Sequence, residues 1–142
     1  MSCILGIDFG LKRIGVALGY VEEKMSLPLT VLPNNDVIFK AIHELIKEND
    51  AQLLVIGLPK TLKNKEEEMA ELTRDFARRC QQCCHCKIEF VDERLSSKQA
   101  SQQLSRIGIS HKKQRGKVDA HAAAVILESY LNESKGKEGI AG

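Results

Sequence analysis

The sequence predicts a single α/β domain built on one mixed β-sheet with helices on its faces. Three observations lead there. The chain has 142 residues, the size of one domain. Its first third is rich in short apolar and β-branched runs joined by tight connections. From Asp36 onward, stretches of helical period alternate with short apolar runs, the pattern of parallel strands linked by helices.

Taken in order, Ser2 to Gly10 (SCILGIDFG) forms a first strand, too short for a helix and closed by Gly10. A tight turn leads to a second strand, Arg13 to Tyr20, and a third, Leu27 to Leu32, is bounded by Pro28 and Pro33. Short connections make these an antiparallel meander. Val37, Ile38, Ala41, Ile42, Leu45 and Ile46 then recur at helical spacing, with Asn34, Asn35 or Asp36 as the N-cap. Gln52 to Gly57 (QLLVIG) is continuously apolar and reads as a central parallel strand covered on both faces.

A second helix, Lys65 to about Gln82, carries Met69, Leu72, Phe76 and Cys80 on one face. Lys87 to Val91 forms the fifth strand. Ser96 and Gln99 have the spacing of a capping box and open a third helix with Ala100, Leu104 and Ile107 inward and Gly108 as its stop. After the polar loop Ser110 to Lys117, an Ala-rich helix runs from Val118 to about Leu131. The domain is expected to cover residues 1–132, with 133–142 a flexible tail that has little to bury.

Composition narrows the function classes. With 43% apolar and 28% charged residues the chain buries a core. No run reaches the length of a membrane span and no signal-peptide pattern opens the chain, so a cytoplasmic protein with no membrane partner is expected. Five cysteines, an odd number, fit reduced thiols better than a disulfide framework. Cys80, Cys83, Cys84 and Cys86 crowd the approach to the fifth strand, but with no second close Cys pair elsewhere they read as helix-end thiols rather than a zinc site.

The net charge of +2 conceals an uneven distribution. From Arg94 to Lys117 there are seven Lys and Arg and no acid, so this segment is +7 and the remainder −5. Within it Lys112, Lys113, Arg115 and Lys117 form a basic loop suited to a phosphate backbone. With aromatics at 4% and no Trp, nucleic acid would be held by charge more than by base stacking.

Three acids flank that segment or face it. Asp8 ends the first strand, Glu93 follows the fifth with Asp92 as its neighbour, and Asp119 begins the last helix. Each has a local explanation, such as a turn Asp bonding its own backbone or an acid at a helix N-terminus. Right-handed crossovers, however, bring the C-terminal ends of the parallel strands to one edge. Two carboxylates about 4 Å apart repel by on the order of 4 kcal/mol at an effective dielectric near 20, so such a cluster needs a cation. Hard oxygen donors without a His/Cys framework suit Mg²⁺ or Mn²⁺, the ions that assist phosphodiester hydrolysis. Arg13 and Arg94 are placed to contact phosphate or to support the carboxylates. His121 stands near Asp119, either as a catalytic group or as a solvent-facing residue of the last helix.

Asp8, Gly10, Arg13, Gly15 and Ala17, followed by Gly57-Leu58-Pro59, Asp92-Glu93-Arg94, and Asp119 with Ala122-Ala123, resemble the motifs of the YqgF/RuvX family of RNase H-like nucleases. The resemblance runs from Ile4 to about Leu131 with the motifs in the family's order. It implies an RNase H-like fold, a five-stranded sheet in the order 3-2-1-4-5 flanked by helices. It also implies a hydrolase that processes the 5′ end of precursor 16S ribosomal RNA, with the small ribosomal subunit as an associated partner, or a Holliday junction resolvase acting on branched DNA. Asp8 would be the central metal ligand and catalytic residue, Glu93 and Asp119 the flanking ones; Glu93 is favoured over Asp92, which alternation places on the opposite side. Lys60 to Glu68 departs from the family in having no Gly after Gly-Leu-Pro, and Glu66 to Glu68 read as a helix N-terminal turn.

Two further readings compete with a nuclease. A non-catalytic nucleic-acid-binding module would have little use for a carboxylate cluster. An actin-like or sugar-kinase ATPase, which also has D-x-G after its first strand, needs two such halves, and the length allows one. The sequence shows no dimer seam; a monomer or weak homodimer is expected, and a resolvase would need two-fold symmetry.

Overall fold

A computed structural model of the chain describes residues 3–58, 64–92 and 119–132. Five strands form one sheet in the order β3-β2-β1-β4-β5. β1 (Cys3–Asp8) is antiparallel to β2 (Arg13–Tyr20), which is antiparallel to β3 (Met25–Pro33). β4 (Ala51–Leu58) runs parallel to β1, and β5 (Lys87–Asp92) parallel to β4. The predicted sheet and strand order are therefore present.

The central position of β1 explains its composition. All six residues of CILGID are buried. Cys3, Leu5 and Ile7 face one side with Ile14, Val16, Leu54 and Ile56. Helices α1 (Ile38–Asn49) and α2 (Asn64–Cys84) cover that side through Ile38, Ile42, Phe76, Ala77 and Cys80. Phe76 packs at 5.0 Å from Phe9 and 5.5 Å from Phe39, tying the end of β1 to both helices.

The opposite side has different chemistry. Ile4, Ala17, Val55 and Val91 receive a helix over 119–132, here α3, through Ala123, Ala124, Ile126, Leu127 and Leu131. Small residues on both partners let backbone approach backbone. A Cβ on Gly6 would sit 2.9 Å from the Ala123 carbonyl oxygen and 2.5 Å from Leu127 Cγ, and one on Gly15 would run into the carbonyl oxygen of Asp119. The Ala-rich composition of α3 and the glycines of β1 and β2 are two halves of one close contact.

Several expectations need correction. β3 extends from Met25 to Pro33, so Pro28 lies inside it; β3 is an edge strand, where a missing N–H is tolerated, and the register shifts between Val16 and Ala17 opposite it. None of Asn34, Asn35 and Asp36 caps α1: the N-cap is Val37, without a side-chain bond. Asn35 Oδ1 instead accepts from the Val37 N–H at 3.0 Å, a local turn before the helix. On α2 the buried face is Thr73, Phe76, Ala77, Cys80 and Cys84, whereas Leu72 is 45% exposed. One helical step separates Leu72 from Thr73, whose hydroxyl donates to the Met69 carbonyl and so sits in the core satisfied. The expected helix from Ser96 and the tail 133–142 lie outside the described residues.

Candidate active site

Asp8 is the last residue of β1 and shares the parity of Ile4 and Gly6, so its carboxylate lies on the α3 side of the sheet. It is 8% exposed. Across the β1–β2 ladder its partner is Gly15. The Asp119 backbone rests on that glycine, so Asp8 and Asp119 stand next to one another although one belongs to a strand and the other to a helix. A side chain at position 15 would separate them.

Arg13 opens β2 on the same side. Its Nε donates to Asp119 Oδ2 at 3.1 Å, with the Arg side chain 53% exposed and the Asp side chain 26% exposed. A pair this wet contributes at most about 1 kcal/mol to stability, so its effect is chiefly to orient the carboxylate. Arg13 is thus in contact with a carboxylate of the site.

The turn between Asp8 and Arg13 is held by a residue that the sequence offered only as a helix cap. Asn34 Nδ2 donates to the Gly10 carbonyl at 2.8 Å, and the Asn34 N–H donates to the Lys12 carbonyl at 2.9 Å. Gly10 is needed because a Cβ there would collide with the Arg13 carbonyl oxygen. Asn34 thus fixes the spacing between Asp8 and Arg13 from the end of β3.

β1, β4 and β5 are parallel, so Leu58 and Asp92, paired at the ends of β4 and β5, lie on the same sheet edge as Asp8. Glu93 and Arg94 follow directly, and with Lys112, Lys113, Arg115 and Lys117 they fall outside the described residues. Among the described residues no three His, Cys, Asp or Glu side chains gather as a metal site. Asp8 and Asp119 supply two hard oxygen donors, the chemistry that suits Mg²⁺ or Mn²⁺.

His121, two residues after Asp119 on α3, is half-buried rather than fully solvent-facing. Cys80 and Cys84 are buried and Cys83 is exposed. Burial, and then the neighbouring thiols, push the Cys84 thiol up to about 11, and the same causes push Cys80 further up. Cys84 Sγ donates to the Phe39 carbonyl, as a packed helix-end thiol does. Leu72 and Phe90 line an open groove between α2 and β5, on the face away from Asp119.

A five-stranded mixed sheet in the order β3-β2-β1-β4-β5 with helices on both faces is an RNase H-like fold. Thermus thermophilus RuvC in complex with Holliday junction substrate superposes with a TM-score of 0.62 at 13% identity, covering 96% of this chain and 97% of that one. A second Thermus thermophilus RuvC structure gives 0.52 at 14% identity, covering 94% and 96%. The chain belongs to the RuvX family, described as Holliday junction resolvase, whose profile matches residues 2–133. A relative from Methylobacillus flagellatus is 45% identical over 133 residues, 92% of this chain and 91% of its own; one from Sulfurihydrogenibium sp. is 40% identical over 134 residues, 93% and 91%. Both bear the name "Putative pre-16S rRNA nuclease". The family is one of nucleases, hydrolases acting on ester bonds.

Proposed function

We propose that this chain hydrolyses RNA phosphodiester bonds in the 5′-end maturation of precursor 16S ribosomal RNA, in the cytoplasm and in association with the small ribosomal subunit. Asp8, Glu93 and Asp119 are its catalytic residues and the ligands of Mg²⁺ or Mn²⁺. The observation that carries the reading is the convergence of Asp8 and Asp119 across Gly15 at the edge where the parallel strands end. Glu93 is included because the family resemblance implies it; it follows β5 directly in the sequence.

Bound divalent metal would activate the attacking water and stabilise charge on the leaving oxygen. The chain's own part is to hold the donors rigidly. Asp8 is fixed by the central strand, and Asp119 by the seat of α3 on Gly15 and by Arg13 Nε. Arg94, Lys112, Lys113, Arg115 and Lys117, with Arg13, supply positive charge for binding the RNA backbone.

The test is cleavage of precursor 16S RNA with Mn²⁺ by wild-type and Asp8→Asn protein. A loss of at least about 100-fold is expected for the variant. Undiminished cleavage would remove Asp8 from the mechanism. Resolution of branched DNA is the second reading, favoured by the fold shared with RuvC. Junction DNA assayed in parallel separates the two, since the RNA reading requires cleavage of precursor RNA in preference to junctions.

A further inference from the structure

We infer that Arg13 works on two partners at once: its Nε fixes Asp119, while its two Nη groups receive a phosphate of the nucleic-acid strand lying across the acids. The inference rests on the proposed function and assigns a specific task within that site.

The geometry divides the guanidinium. Contact with Asp119 is made through Nε to Oδ2 at 3.1 Å, which leaves the fork of the two Nη groups to a second partner on a side chain that is 53% exposed. That fork matches two oxygens of a phosphate, a geometry an ammonium group does not offer. Its position is not adjustable at the main chain. Arg13 directly follows a turn clamped by Asn34 at Gly10 and Lys12, and its own strand pairs with β1 from Asp8 onward.

Electrostatics gives the reason for such a residue. A polyanion approaching Asp8 and Asp119 meets like charge, and Arg13 is a cation in direct contact with Asp119. A cation that bonds an acid on one edge and a phosphate on the other removes the repulsion and sets the distance between them. Phosphate binding and Asp119 orientation thereby become a single event. Arg13 touches substrate on one side and acts on the metal site through Asp119 on the other.

Two measurements on the full-length protein test the two sides without turnover. The first is binding of a labelled single-stranded RNA oligonucleotide in EDTA over a salt series. Arg13→Gln should lower the magnitude of the slope of log K against log salt by about 0.7, the share of one phosphate contact, and Arg13→Lys should keep it. The second is the Mn²⁺ dissociation constant by electron paramagnetic resonance, without RNA. Arg13→Lys retains the charge but not the planar Nε–H, so the constant should rise at least about threefold, and the same change in an Asp119→Asn background should leave it unmoved.

An unchanged salt slope in Arg13→Gln overturns the phosphate contact. An Mn²⁺ constant unmoved by Arg13→Lys, or moved equally in both backgrounds, overturns the action through Asp119. Failure of the nuclease reading looks different: wild-type and Asp8→Asn proteins would then behave alike in the cleavage assay, whatever the two binding results.

Discussion

Replacing Gly15 by Ala tests the seat of α3, on which the whole site depends. The added Cβ would meet the Asp119 carbonyl oxygen and carbon far inside the 3.0 Å that real Cβ atoms keep, and Ala120 N at 2.9 Å. The obstacle is backbone, so no rotamer relieves it. To restore ordinary contact α3 has to lift from β2 by about 1 Å or more, loosening Ala120, Ala123 and Leu127. Overpacking of this kind costs about 1–3 kcal/mol, and a backbone obstacle belongs at the upper end. For a chain of this size that lowers Tm by roughly 5–10 °C. The same lift carries Asp119 away from Asp8, and a displacement of about 1 Å at a reacting centre costs on the order of 100-fold in rate. Gly19→Ala is the matched control. Its Cβ would meet only side-chain atoms, Ile4 Cγ1 at 3.0 Å and Leu127 Cδ1 at 3.1 Å, which can turn aside. Thermal melts and Mn²⁺-dependent cleavage of precursor RNA should show Gly15→Ala impaired in both and Gly19→Ala close to wild type. A Gly15→Ala protein that melts within about 2 °C of wild type and cleaves at its rate would refute the close docking of α3.

Three other outcomes follow from the structure. Asn34→Ala removes the bond to the Gly10 carbonyl, worth about 1 kcal/mol, so Tm should fall only slightly while kcat drops about tenfold as the Asp8–Arg13 turn loosens; melts and steady-state kinetics compare the two. At pH 8 a thiol reagent should label exposed Cys83 quickly and reach Cys80 and Cys84 only after unfolding, read by mass spectrometry of the native and denatured protein. Cys84 also makes stability depend on pH: its thiol lies at about 11 when folded against 9.0 ordinarily, so its contribution is intact below about 9 and is lost as pH rises through about 11, because the unfolded chain ionises first. Melts of Cys84→Ala from pH 8 to 11 should fall less steeply than those of wild type.

How far the sequence could be read depended on whether a residue had one explanation or two. β1, β2 and β4 were legible because a buried strand needs an unbroken apolar run and has few alternatives. The Ala-rich final helix and the glycines of β1 and β2 were each visible, yet their contact was not, since helix-to-sheet distance has no local signature. Pro28 looked like the boundary of β3 because proline is excluded from central strands, and the edge position that admits it is a property of the sheet. Leu72 fitted the helical period as well as Thr73 did. The packing of α2 turns the polar residue inward, and the Met69 carbonyl satisfies its hydroxyl there. At the site, Asp8 and Asp119 stood out as acids ending a strand and beginning a helix. Asn34 did not, because Asn before a helix is explained by capping, and its bonds to Gly10 and Lys12 arise only once β3 returns beside the turn.

The bond between Arg13 and Asp119 joins residues 106 positions apart. Asp8 and Arg13 leave the ribosome early, with the first hairpin, whereas Asp119 is among the last parts of the domain to be synthesised. At roughly 5–20 residues per second, that separates the two halves of the site by about 5–20 s during which the chain carries one acid and not the other. A fragment ending before α3 would also leave the glycine-lined face of the sheet uncovered. The long closure therefore makes the Arg13–Asp119 bond and the seating of α3 on Gly15 late events that are completed together.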